Sequence, residues 1–217
     1  WWGISNTAKK GVVPQSVVIS FYVGAVILVI TCLFTIFRVH EYDPATYARY
    51  HGISEEDNKK GGNWFTLLKH APRVFWNVAL VQFFCWFSFQ YLSTYAVGAI
   101  AKNVWLTTDA SSAAYQAAGN WYGVMTAVQS IAAVVWSYVL AKVPNNHHKA
   151  GYAFSLLLGA VGYTSIFFIH SQNALIFSFV LIGIAWASMN TYPLTMVTNA
   201  LSGKHMGTYF WSLPITW

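Results

Sequence analysis

The stretch Ala174–Thr198, ALIFSFVLIGIAWASMNTYPLTMVT, decides the fold class, because it is long, continuously apolar and free of charged side chains. A helix needs roughly 20 such residues to cross the hydrocarbon core of a bilayer. Four further runs of this kind lie at Ser16–Phe37, Val74–Ala101, Asn120–Ala141 and Gly151–Ile169. They are continuous and not alternating, which favours helices over a closed barrel. The sequence therefore predicts an all-α membrane protein with five spanning helices.

The overall composition agrees with this prediction. Hydrophobic residues make up 56% of the 217 residues and charged residues only 8%, against about 25% charged residues in soluble domains. A sixth apolar run opens near Gly207 and reaches Trp217, which at about 1.5 Å per residue is too short to cross. Because the chain also begins at Trp1 and not at a methionine, we expect it to be a piece of a longer protein that ends inside a helix.

The basic residues are distributed unevenly between the loops. Alternating the five crossings places residues 38–73, 142–150 and 199–206 on one side of the membrane, and this side carries nine of the 12 Lys and Arg residues. The positive-inside rule therefore makes these loops cytoplasmic and places the loops at 102–119 and 170–173 outside. Topology explains the net charge of +6 better than binding to nucleic acid, so we expect lipid and no nucleic acid as a partner.

The longest connection, 38–73, carries five of the six acidic residues. Asp43, followed by Pro44 and later by Gly52, is typical of a short helix with an N-cap, a first-turn proline and a C-terminal glycine. A solvated linker is favoured here over a regulatory site. Elsewhere, the pairs Gly119/Gly123 and Gly183/Ala187 have the spacing that permits close contact between membrane helices.

Residues that could perform catalysis or bind a metal are scarce. The middles of the apolar runs contain no Asp, Glu, Lys or Arg, and all seven histidines lie in loops or at helix ends. His147-His148 is either a metal-binding pair or part of a solvated basic loop, and the loop is favoured. Cys32 and Cys85 lie in different runs and have no metal-ligand spacing. We therefore expect no enzymatic activity, no catalytic residue, no metal and no cofactor.

Uncharged polar residues share helical faces with aromatic residues in three of the runs, because spacings of three, four and seven residues repeat on one face. A membrane helix carries an amide at a cost unless a partner helix or a water-filled cavity satisfies it. Amides bind hydroxyl groups and an indole ring stacks on a sugar, so a cavity for a polar substrate and contacts between helices are the two interpretations. The candidate substrate-binding residues are Gln82, Trp86, Gln90, Tyr122, Gln129, Trp186 and Asn190.

Several short motifs resemble, in their order, those of a major facilitator superfamily transporter. The closest resemblance is to the sucrose-transporter-like branch of the glycoside–pentoside–hexuronide:cation symporters. Each motif is modest by itself, whereas their order along nearly the whole chain is specific. The motifs are Gly3–Ala8, Leu80–Phe87, Ala117–Gly123, Gly183–Ser188, Tyr192-Pro193 and Gly203–Tyr209.

This resemblance implies that the chain contains helices six to ten and the start of helix eleven. Residues 1–37 then form an external loop and the last helix of the N-terminal bundle, and residues 38–73 form the cytoplasmic linker between the bundles. Residues 74–217 form the C-terminal bundle, truncated within its fifth helix. The implied activity is uptake of a sugar, such as a di- or oligosaccharide, coupled to H+ or Na+ and preferably to H+, by alternating access. The implied setting is a monomer in the bacterial inner membrane.

By the same resemblance, Gln82, Trp86 and Gln90 belong to helix seven, and Trp186 and Asn190 to helix ten. In helix eight, Asn120 and Gln129 face roughly opposite ways, and the aromatic stripe favours Gln129 as the residue in the cavity. Some relatives carry an acidic residue in helix seven, whereas this chain has none there. Coupling residues are therefore expected in the N-terminal half. A membrane protein that senses or binds sugar without transporting it is the alternative function.

Overall fold

The computed structural model describes residues 15–39, 42, 43, 46, 49, 50 and 68–201, and these residues form helices and short connections without a strand. The chain divides into two units, residues 1–60 and 61–217. Helix α1 belongs to the first unit and helices α2 to α5 to the second. The helices are α1 (Gln15–Arg38), α2 (Arg73–Val104), α3 (Ala113–Leu140), α4 (His148–Ser165) and α5 (Leu175–Leu201), with a 3-10 turn at Asn145–His147 before α4.

Each of the five predicted apolar runs is helical, which confirms the predicted all-α fold class. Among the described residues, three helices are long and apolar enough to cross a membrane: α1, α3 and Leu175–Ala200 of α5. Helix α2 is longer, at 32 residues, but its many aromatic and amide side chains lower its mean hydropathy. Helix α4 has 18 residues and is therefore about 27 Å long.

The connection between α2 and α3 differs from its prediction. The loop was expected at 102–119, whereas α2 continues to Val104 and α3 begins at Ala113. Ser112 caps α3, because its hydroxyl accepts a hydrogen bond from the Tyr115 N–H at 3.1 Å and donates one to the Asp109 carbonyl at 2.7 Å. A serine N-cap satisfies an N–H group that the first turn of the helix leaves free. The expected boundary at Asn120 was wrong because the first turns of α3 are less apolar than the run that follows.

Helix α5 lies at the centre of the second unit and packs against α2, α3 and α4. Glycines allow the close approach of α4 and α5: a Cβ added to Gly162 would lie 2.8 Å from the Ser178 carbonyl oxygen, and one added to Gly159 would collide with the Ala185 Cβ. On the other side of α5, a Cβ at Gly183 would collide with the carbonyl oxygen of Gln129. The close contact predicted at Gly183 is confirmed. Gly123, by contrast, has no described atom within 4 Å of an added Cβ.

Part of the predicted linker is also described. The Thr46 N–H donates a hydrogen bond to Asp43 Oδ2 at 3.2 Å, which is the contact expected of the predicted N-cap, while most of the short helix predicted after Asp43 lies outside the described residues. The other features predicted for the linker, together with the motifs Gly3–Ala8 and Gly203–Tyr209, lie wholly or largely outside the described residues. The same holds for the sixth apolar run from Gly207.

Candidate functional site

Aromatic rings meet where α2 and α5 pack together. The ring centroids of Trp86 and Trp186 lie 5.8 Å apart and the two ring planes are nearly perpendicular, at 83°. Phe89, three residues after Trp86 and thus on the same side of α2, lies 4.1 Å from the ring of Trp186. We call these three residues the aromatic cluster. Edge-to-face and offset arrangements of this kind are the favoured geometries of aromatic pairs.

Two amide side chains flank the aromatic cluster. Asn190 lies one turn after Trp186 on α5 and is exposed. Its Nδ2 donates a hydrogen bond to the Trp186 carbonyl oxygen at 2.8 Å, which leaves its own amide oxygen as an acceptor. Gln90 lies one turn after Trp86 on α2 and is also exposed. The α2–α5 contact thus offers indole rings beside amide groups, the combination predicted from the sequence.

The indole N–H of Trp86 is buried and has no hydrogen-bond acceptor among the described residues. Leaving a buried donor unpaired costs about 1–3 kcal/mol. Such a donor inside a membrane protein is therefore either a site of stored strain or a group that a ligand satisfies. The hydroxyl of Tyr192 on α5 is likewise buried without a partner among the described residues.

Gln82 occupies a different environment one turn before Trp86. It is completely buried, with 0% exposure. Its Nε2 donates to the Met189 carbonyl oxygen on α5 at 2.9 Å, and its Oε1 accepts from the Tyr152 hydroxyl on α4 at 3.1 Å. Both ends of this amide are therefore bound by protein, so the structure favours a contact between helices for this residue.

The candidates on α3 lie away from the aromatic cluster. Gln129 is 7% exposed, on the face of α3 that meets Gly183 of α5. Tyr122 is half-buried, and its ring lies 5.9 Å from that of Phe179. Trp136 lies seven residues after Gln129 and so on the same face of α3, and its Nε1 donates to the Ser155 hydroxyl at 3.2 Å. This face of α3 thus packs against α5 and α4. Of the candidates outside α3 and other than Gln82, Trp86 and Trp186 are in ring contact, and Gln90 and Asn190 each follow one of them by one helical turn.

A cleft among the described residues borders the aromatic cluster, since Phe89 and Trp186 line it. It has a volume of about 730 Å3, lies between α2, α4 and α5, and is mostly apolar. Trp186 is the only candidate residue that lines it. Of its hydroxyl side chains, Ser88 and Thr164 donate to carbonyl oxygens of their own helices. The others belong to Tyr91, Tyr95 and Tyr163.

The adjacent histidines at the start of α4 have different environments. His147 is exposed, whereas His148 is 9% exposed, lies with Nε2 3.3 Å from the Val143 carbonyl oxygen, and packs near the Tyr192 ring. The prediction that the two histidines belong to a solvated loop is therefore confirmed for His147 and wrong for His148. Within the described part of the chain, no three His, Cys, Asp or Glu side chains are grouped so that they could hold a metal ion.

Sequence reasoning missed Phe89 and Tyr152. Phe89 carries no polar group, so nothing in a search for polar stripes could identify it. Tyr152 is the polar residue of α4 that reaches Gln82, but it shares its helix with no candidate amide. The available signal for Tyr152 in the sequence was its position directly after a glycine, in a helix with few other aromatic residues.

Comparison with protein families gives one match. A family model described as Major Facilitator Superfamily matches residues 15–212, which is most of the chain and includes all five helices. No curated protein and no solved structure matches the chain.

Proposed function

Because the chain belongs to the major facilitator superfamily, a family of membrane transporters, we propose that it forms part of a secondary transporter that takes up a sugar together with a cation. The substrate class is a di- or oligosaccharide, and the coupling ion is H+ in preference to Na+. The protein acts as a monomer in the bacterial inner membrane. Residues 38–73 form the cytoplasmic linker, and residues 74–217 belong to the C-terminal bundle.

The observation that carries this proposal is the aromatic cluster with its two flanking amides. The face of an indole ring packs against the apolar face of a sugar ring, and amide groups bind hydroxyls in both directions, as donors and as acceptors. Trp86, Gln90, Trp186 and Asn190 supply these groups on the facing helices α2 and α5. The unpaired N–H of Trp86 adds a donor for a hydroxyl or ring oxygen of the substrate.

The remaining candidate residues have supporting places in this proposal. Gln129 and Tyr122 on α3 lie away from the aromatic cluster in this structure, and in our proposal they reach the substrate only when the bundle rearranges. The described membrane-spanning helices carry no charged residue in their middles, so the groups that couple the cation lie elsewhere in the complete transporter. A sugar that binds through hydroxyls needs no charged partner, which agrees with a site built from amides and indoles. The site performs no catalysis and requires no cofactor.

Uptake in proteoliposomes tests the proposed activity. The complete protein is reconstituted, and accumulation of labelled disaccharides is followed with an imposed proton gradient, with a sodium gradient and with neither. Accumulation that requires one gradient establishes symport and identifies the ion. Binding of sugar without accumulation under any gradient supports the alternative, a sensor or binding protein on the same fold. No response to any sugar overturns the assignment of the substrate class.

Two matched tryptophan substitutions test the site. Trp86→Ala removes one ring of the aromatic cluster and the unpaired donor, and we expect sugar affinity to fall about tenfold or more, as for loss of a stacking aromatic. Trp76→Ala is the control, because Trp76 lies on the same helix but is 49% exposed and outside the cluster. Equal affinities of the two variants, at equal expression and monodispersity, would show that the site lies elsewhere.

A further inference from the structure

Pro193 interrupts the hydrogen-bond pattern of α5. It lies inside the helix and is fully buried. In a regular α-helix the carbonyl group of residue 189 accepts the N–H of residue 193, and proline has no N–H to donate. The Met189 carbonyl therefore loses its helical partner inside the protein, where an unpaired acceptor is costly.

The side chain of Gln82 supplies the missing donor. Its Nε2 lies 2.9 Å from the Met189 carbonyl oxygen, although the two residues are 107 positions apart in the sequence. Gln82 is fully buried, so this hydrogen bond is shielded from water. The amide of α2 thus binds the single turn of α5 whose own hydrogen bond the proline removes.

Tyr152 on α4 orients this amide. Its hydroxyl donates to Gln82 Oε1 at 3.1 Å, and since the amide oxygen is held in this way, Nε2 is directed toward α5. The same hydroxyl lies 3.7 Å from the Cys85 sulfur. Three helices therefore meet at one hydrogen-bonded chain, which runs from Tyr152 through Gln82 to the Met189 carbonyl. We call this chain the amide clamp.

We propose that Gln82 and Tyr152 are positioning residues that hold the proline break of α5, and with it Trp186 and Asn190, in the geometry that binds the substrate. Asn190 directly follows Met189, and Trp186 lies one turn earlier, so a change in the turn held by the clamp moves both side chains. The assignment of Trp186 and Asn190 to a substrate rests on the proposed function. The clamp itself is defined by contacts within the chain.

A double-mutant cycle tests the clamp. Gln82→Met removes the donor while retaining most of the volume, and Pro193→Ala restores an N–H that the Met189 carbonyl can accept. In a protein whose only cysteine is Cys85, the rate of alkylation by a small maleimide reports opening of the contact around the clamp. We expect Gln82→Met to raise this rate about tenfold when Pro193 is present and less than about twofold when it is replaced, because contacting groups are coupled.

Gln129→Met is the matched control, since Gln129 is also a buried glutamine but does not bind a carbonyl that a proline leaves free. Its effect on the alkylation rate should be the same whether Pro193 is present or replaced. An equal effect of Gln82→Met in both backgrounds would overturn the proposal and reduce Gln82 to ordinary packing. If Gln82→Met gives no folded protein, Tyr152→Phe is put through the same cycle. It removes a hydroxyl that contacts both Gln82 and Cys85, so only the difference between its effects in the two Pro193 backgrounds is compared.

Sugar binding separates this proposal from the proposed function. If both hold, Gln82→Met lowers sugar affinity and Pro193→Ala in the same chain restores it toward that of Pro193→Ala alone. If the wild-type protein binds no sugar while the alkylation cycle still shows coupling between positions 82 and 193, the substrate assignment fails and the clamp stands. Coupling in sugar binding that is absent from the alkylation rates would overturn the clamp.

Discussion

Replacing Gly162 by alanine tests the packing that holds α4 against α5. Gly162 is buried, and an added Cβ would lie 2.8 Å from the Ser178 carbonyl oxygen, 3.0 Å from Leu181 Cβ and 3.1 Å from Ile182 Cγ1. The first two of these atoms belong to the backbone of α5 or are attached directly to it. The helices must therefore separate to admit the methyl group, because no side-chain rotation can remove these contacts.

The size of the effect follows from these distances. Ordinary contacts of a Cβ begin at 3.4 Å, so the neighbouring atoms have to move by about 0.3–0.6 Å against a close-packed interior. Forcing an extra methyl group into a packed core typically costs about 1–3 kcal/mol. A steric cost of about 2 kcal/mol corresponds to an unfolding temperature about 4–8 °C below that of a control substitution with the same helix propensity, for a protein of this size.

The assay is thermal unfolding of the purified protein in detergent, followed by the fraction that remains monodisperse after heating. Gly123→Ala is the control, since a Cβ at Gly123 has no described atom within 4 Å. Both substitutions gain the same helix propensity, about 1 kcal/mol. The difference between the two unfolding temperatures therefore isolates the steric effect.

The expected order of stability is Gly162→Ala below the wild-type protein, and Gly123→Ala equal to it or above it. If Gly162→Ala unfolds at the temperature of Gly123→Ala or higher, α4 and α5 are not packed as closely as the structure has them. The amide clamp would not be tested by that result, because its hydrogen bonds join α4 to α2 and α2 to α5.

Two further predictions concern the outer ends of the helices. Ser112→Ala removes the hydroxyl that accepts the Tyr115 N–H at the start of α3. We expect about 1 kcal/mol lower stability and faster amide hydrogen exchange in the first turn of α3. Ser130→Ala is the control and should change neither quantity, because the Ser130 hydroxyl only donates within its own helix. Trp121→Phe removes the hydrogen bond of 2.8 Å from the indole N–H to the Gln172 carbonyl. Residues 170–174 should then become more sensitive to protease, while the unfolding temperature falls by only a few degrees. Unchanged cleavage would mean that this hydrogen bond does not hold the loop.

The helices were predictable to the extent that long apolar runs determine them. The predicted end of α1 at Phe37 and the observed end at Arg38 differ by one residue, because a charged residue marks the boundary. The start of α3 was missed by several residues, because there the boundary depends on a single serine cap and not on hydropathy. Gly183 could be predicted as a contact from spacing, whereas spacing also indicated Gly123, where an added Cβ has no described atom within 4 Å.

The candidate site was predictable only as two competing interpretations. The sequence placed amides and indoles on common helical faces. The spacing of residues along one helix does not show which other helix, or which cavity, that face contacts. Trp86 and Trp186 are brought together by the packing of α2 on α5, which agrees with a lined site. Gln82 lies on the same stripe as Trp86 and is bound at both ends by protein, which agrees with contacts between helices. The structure therefore identifies a contact between helices at Gln82, whereas the lined site at Trp86 and Trp186 stays a prediction.

The membrane class, the number and order of the apolar helices and the position of Pro193 could all be read from the sequence, because each depends on local composition and on covalent structure. Even the loss of a partner for the Met189 carbonyl follows from that proline alone. The identity of the replacement donor, Gln82, could be found only from the packed helices, because the donor lies 107 residues away. Hydrogen bonds between helices depend on rotation and depth of packing, which residues distant in the chain determine together.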